Sequence, residues 1–208
     1  MSGESPGSER DGETGATPDA APDVPEWDDE YVDRLSDRLL FNYDLEKDVA
    51  AGGERFALYG EMRMRNEKHF FHPALSFAEH ESYEHVYARR QDAVDVADLE
   101  ALVELGHDLA DAEIDPHPDH YSTEFVFVLV TDEITRPVRA FVDDFRERTM
   151  LKYGFHGHYE IQLIVVAPDA EDVVSSRNAH VEEAFRLWTS IESEEPGWWD
   201  LVTRRLQL

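Results

Sequence analysis

Three pairs of histidines are the first residues in this chain with chemistry to offer. His69 and His72 are three apart, His117 and His120 are three apart, and His156 and His158 are two apart. On a strand, residues i and i+2 project to one face, so His156 and His158 can grip one metal ion, with Glu160 continuing that face. His117 and His120 lie in the loop Asp115-Pro-His-Pro-Asp-His120, just ahead of an apolar run that starts at Thr123. Parallel pairing of that run with the one starting at Tyr159 brings both pairs to one sheet edge. A zinc site built from His156, His158 and His117 or His120 is geometrically open to the chain, and with it an alternative reading as a metal-dependent hydrolase. The opposing reading is that loop histidines are solvated; no helical HExxH supports the metal.

The second group is basic. Arg63, Arg65 and Lys68 fall within Glu61-Met-Arg-Met-Arg-Asn-Glu-Lys-His69, and Arg146, Arg148 and Lys152 form another cluster. On a strand Arg63 and Arg65 share one face and could hold a phosphate or carboxylate. The same two residues could instead pair with Glu61 and Glu67, which flank them. The second cluster could simply complement a helix C-terminus. A third group, Asp132, Glu133, Asp169 and Glu171, follows the two apolar runs, where open α/β sheets bind ligands and where carboxylates can hold Mg²⁺. Acids are so common here that helix caps and loops account for them equally well. Nucleophilic chemistry has no support: the chain has no cysteine, no Gly-x-Ser-x-Gly, no phosphate-binding loop and no GxGxxG.

The elements that would position these groups follow from periodicity. Trp27, Tyr31, Leu35 and Leu39 predict a helix from Asp28 to about Asn42. Arg55 to about Phe71 reads as extended structure, and Ser82 to Arg89 as a short strand. Asp95 and Asp98 cap a helix whose apolar face is Val96, Leu99, Leu102, Val103, Gly106 and Leu109. Thr123–Thr131 and Tyr159–Ala167 are near-continuous apolar runs, the signature of strands buried on both faces. A helix between them, from Pro137 to about Thr149, makes a βαβ unit with a right-handed crossover. A final helix is read over roughly Asn178 to Glu192. Trp198, Trp199, Leu201, Val202 and Leu206 at the C-terminus need burial, in this chain's own core or against a partner. The expected fold is α/β, bordering on α+β: one mixed sheet of about 4–6 strands covered by helices.

Composition bounds what such a domain can meet. Only Lys47, Lys68 and Lys152 are lysines, against 47 Asp and Glu, and the formal net charge is −28. Residues 1–26 are small, polar and acidic and read as a disordered tail, leaving 27–208 as a single domain. The acids continue through that domain, so they describe its surface rather than a tail. Arginine in place of lysine suits molar salt, where the Debye length is about 3 Å. The charge disfavours nucleic acid and anionic lipid. With no signal peptide pattern and no apolar stretch of about 18 residues, the reading is a cytoplasmic protein.

Leu58–Phe71 (LYGEMRMRNEKHFF) and Pro118-Asp-His-Tyr-Ser-Thr123 resemble an uncharacterised family of salt-loving archaea and some bacteria. The resemblance spans most of the chain after the tail and implies no activity. The order helix, three extended segments, helix, strand also resembles restriction-endonuclease-like folds. Those need Glu-x-Lys on a strand. Here Glu84-His-Val86 lacks the lysine, and Glu67 and Lys68 are adjacent, on opposite faces. The leading function is therefore a non-catalytic binding or interaction module without a cofactor, its partner a protein or a second copy of the chain.

Unscreened repulsion predicts that the protein loosens at low ionic strength. Its melting temperature should rise steadily from low to molar salt; a melting temperature independent of salt would show that the acids serve another purpose.

Overall fold

Phe125, Phe127 and Leu129 alternate with Val126, Val128 and Val130, and all six are buried. A strand that is apolar on both faces must sit inside a sheet covered on both sides. The computed structural model describes residues 25–67, 79–179 and 182–188. In chain order its elements are α1 (Glu30–Leu39), β1 (Asp44–Ala51), β2 (Glu54–Glu67), β3 (Glu79–Arg90), α2 (Val96–Glu113), β4 (His120–Val130), α3 (Arg136–Asp144), β5 (Glu147–Met150), β6 (His158–Ala167), β7 (Asp172–Ser175) and α4 (Glu182–Phe185). The strands form one seven-stranded mixed sheet in the order β1-β2-β3-β4-β6-β5, with β7 also on β6.

Strands β3, β4 and β6 are parallel neighbours, with Tyr87 opposite Phe127 and Phe127 opposite Leu163. The predicted β4-α3-β6 crossover is present, and a second, β3-α2-β4, precedes it. β1, β2 and β3 form an antiparallel meander, and β5 and β7 pair antiparallel with β6. The fold is thus α+β, with seven strands rather than about 4–6. The additional strands carry little pattern. β1 (DLEKDVAA) is an edge strand with no buried side chain, while β5 and β7 have four residues each, too few to show a period. β5 also corrects the helix expected to reach Thr149: α3 stops at Asp144, and Phe145 turns extended.

One side of the sheet carries Phe56, Tyr87, Phe125, Phe127, Ile161 and Leu163 under α2 and α3. Gly106 of α2 lies so close that a Cβ there would stand 2.8 Å from Ile161 Cδ1. Asp95 and Asp98 cap this helix reciprocally, as their spacing predicts. The other side carries Leu58, Val86, Val126, Val128, Ile164 and Val166 under α1 and α4. Asp29 caps α1, Trp27 Nε1 donates to Ala57 O (2.5 Å), and the Tyr31 hydroxyl donates to Phe185 O (2.7 Å). Of the final helix expected over roughly Asn178 to Glu192, only Glu182–Phe185 is helical among the described residues, and Asn178, Ala179 and Arg186 to Trp188 are not; 189–208, with Trp198 and Trp199, lie outside the described residues.

Phe127 meets both Phe56 and Tyr87 beneath α2. Phe127→Ala should cost about 3–5 kcal/mol. Phe41→Ala, at a site 88% exposed, should stay within about 0.5 kcal/mol. Denaturant melts of the two variants check this, and similar costs for both would refute the placement of the core.

Candidate functional site

Period-two alternation decides which polar residues meet. On β3, Glu81, Tyr83 and His85 continue the face that carries Tyr87; on β2, Glu61 and Arg63 continue that of Tyr59. The helix α2 ends at Glu113 before it has covered the N-terminal ends of the parallel strands. A cleft of about 320 Å³ remains there, with Glu61, Tyr83 and His85 on the sheet and Glu113, Asp115 and His117 on the α2–β4 side.

His85 sits between rings, stacked on Phe125 and Tyr59, with Nδ1 2.8 Å from the Tyr59 hydroxyl. Burial lowers its pKa, so the ring is neutral near pH 7. Burial, then the charge of Glu61, raises the pKa of Tyr59, so its hydroxyl keeps its proton at neutral pH. Glu113 has an exposed side chain, yet chain atoms packed around its carboxyl, and then the charge of Glu61, raise its pKa. At the mouth, Glu81 accepts from the Tyr83 hydroxyl (2.8 Å), pairs with Arg65 (3.1 Å) and lies 3.7 Å from His117. The Tyr83 bond, followed by the charges of Arg65 and His117, lowers the Glu81 pKa.

Both arginines expected to hold an anion have carboxylate partners within the chain. Arg63 donates to Glu61 (2.7 Å) and lies over the Tyr83 ring, and Arg65 meets its register partner Glu81. Both are exposed. Lys68, His69 and His72 lie outside the described residues.

The four histidines expected to share a metal are not brought to one point. His120 is buried on the cleft side, its ring nitrogens 2.8 Å from His156 O and from Thr123 Oγ1. His158 is on the opposite face of the sheet, 3.5 Å from Glu160, because neighbouring residues of a strand alternate between faces. His156 lies in the turn before β6, with Nδ1 buried and unpartnered. Among the described residues no three His, Asp or Glu side chains are placed to hold a metal. Of the strand-end acids, Asp132 and Asp169 lie close enough to Arg90 to add to the pKa rise caused mainly by Asp29, and Glu171 is in a left-handed turn.

Across the other face runs a row that sequence reasoning missed. Glu84, Glu124 and Glu160 are direct register partners on β3, β4 and β6, with Arg148 next on β5. Tyr43 donates to Glu84 (2.7 Å), Gln162 Nε2 to Glu124 (2.7 Å) and Asn178 Nδ2 to Glu160 (3.0 Å), while Arg148 pairs with Glu160. Glu84 and Glu124 make further interactions. Each glutamate heads an apolar run, and that was the available signal. Tyr83 and His85 could likewise have been found by extending the alternation of β3 to its start.

Burial lowers the pKa of His158 as well as that of His85. Well above pH 6.5, by about one unit, neither residue is protonated in either state, and neither affects stability. Below it, the unfolded chain takes up protons that the folded rings resist. Stability should therefore fall as pH drops from 6.5 towards 5. His85→Gln should flatten that slope in thermal melts across this range; an unchanged slope would show that His85 titrates normally.

The family described as a domain of unknown function, DUF8052, matches residues 28–187. No curated protein and no solved structure matches the chain. The match begins at the cap of α1 and ends just after α4, so it takes in the sheet, both helical layers and the cleft. The chain belongs to the DUF8052 family.

Proposed function

We propose that the domain is a non-catalytic binding module whose cleft takes a positively charged organic group. That group would be an amine or guanidinium, carried by a small molecule or by a side chain of a partner. The observation that carries this reading is the composition of the cleft wall. Glu61, Glu113 and Asp115 surround it, the one guanidinium among the described lining residues, Arg63, is already paired with Glu61, and Tyr83 and His85 offer ring faces. Carboxylates beside aromatic faces suit an organic cation through ion pairing and cation–π attraction together. Burial raises the Glu113 pKa and the charge of Glu61 adds to the rise; an added cation would relieve that second contribution. An anion would meet three carboxylates, and the guanidinium among the described lining residues is already paired.

Calorimetric titration in high salt tests the reading, with spermidine and arginine methyl ester as probes. Saturable binding should appear in the wild type and weaken at least about tenfold in Glu61→Gln/Glu113→Gln, since two charge-assisted contacts are lost. Heats equal to those of added potassium chloride, or affinity unchanged in the double variant, would rule it out. Stoichiometric zinc bound through His117 or His158 would favour the hydrolase instead.

A further inference from the structure

Among the described residues, the longest stretch without a carboxylate lies at the edge of the sheet. Residues 148–159 contain no carboxylate, in a chain with 47 of them. They form the end of β5, the start of β6 and the turn between, at the edge of the sheet. At its tip Tyr153 is 98% exposed and Phe155 81%, with Met150 at 56% and Tyr121 at 53% beside them. The turn is firmly built. Leu151 N donates to Gly157 O (3.0 Å), Phe155 N to Lys152 O (3.2 Å), and His120 Nδ1 lies 2.8 Å from His156 O. Gly157, at φ +75°, is packed so tightly that a Cβ would lie 2.2 Å from Tyr121 O. Lys152 and Tyr153 take left-handed backbone angles (φ 45° and 59°), which non-glycine residues adopt at a cost. The chain thus holds two aromatic rings in water on a strained, preorganised turn.

We propose that this hairpin docks on the same hairpin of a second copy of the chain. Charge selects that partner and this place. Two chains of net charge −28 repel over most of their surfaces, and like charges brought together in an interface are costly to desolvate. An acid-free aromatic patch is where two copies can meet without burying carboxylates. A two-fold contact is self-complementary and needs no second kind of surface. Exposed Lys152 and Arg146 would reach the acidic surroundings of the opposing copy. Area is sufficient: at about 150–250 Å² per aromatic side chain, the four rings of Tyr153 and Phe155 supply about 600–1,000 Å². Met150 and Tyr121 bring the total to the roughly 1,200 Å² at which specific interfaces begin.

Sedimentation equilibrium of the full chain in high salt tests the contact. The wild type should show twice the 23.9 kDa of one chain. Tyr153→Ser/Phe155→Ser should sediment as a monomer while keeping the wild-type melting temperature. Lys152→Glu, which puts a carboxylate on the patch, should dissociate more readily as salt is lowered. Phe41→Ser, at an exposed ring elsewhere, should remain a dimer. A monomeric wild type, or a dimer unaffected by the hairpin variants, would overturn the proposal. So would a monomer that binds single-stranded oligothymidine through the same two rings.

Discussion

The covering of β4 and β6 on both faces is the constraint on which the rest of the molecule depends. Apart from Gln162, their side chains from Phe125 and Ile161 onward are apolar in either direction, so neither strand can sit at an edge or face water. The two crossovers place α2 and α3 on one side, and α1 and α4 cover the other. Strand β3 completes the parallel trio and passes the sheet on to the antiparallel β1–β2 hairpin. Both helical layers are shorter than the strands they cover. The N-terminal ends of the parallel strands therefore extend past the helices, and the polar residues collect there.

These ends solve the same electrostatic problem in different ways on the two faces. On the α1 side Glu84, Glu124 and Glu160 lie side by side, and a tyrosine hydroxyl, two side-chain amides and one guanidinium donate to them. Buried carboxylates are tolerable only with such donors. On the α2 side the acids line an open cleft, where burial first and the charge of Glu61 second raise the pKa of Glu113. The acid-rich composition thus has structure within it: a largely buried row with donors built in, an open cleft lined by acids, and a hairpin from which carboxylates are absent.

Much of the scaffold was legible without coordinates. The caps of α2, the face of α1 and the two core strands announce themselves through period and propensity, because burial on one or two faces leaves a local pattern. The edge strands did not. β1 has only Leu45 and Val49 as large apolar residues, and β5 and β7 exist because β6 offers an edge to pair with. The pairing of Arg63 with Glu61 was anticipated as the alternative to anion binding. Arg65 also meets Glu81, a partner supplied by the register of β2 on β3 and not visible from flanking residues alone.

The histidines mark where sequence reasoning stops. Spacing placed His156 and His158 beside His117 and His120 in the plane of the sheet, and the parallel pairing of β4 and β6 does bring the two pairs to the same end. Spacing carries no information on which face each ring takes once a turn or a shift in register intervenes. The register shifts between Glu81 and Ser82 where β3 meets the start of β4, and His120 turns to the cleft while His158 turns away. Sequence alone determined the apolar strands, the capped helices and the charge of the surface, since each follows from neighbours along the chain. Only the tertiary structure decided that His85, Glu61 and Glu113 share a cleft and that three glutamates form a row, because those meetings depend on strand register and on where α2 ends.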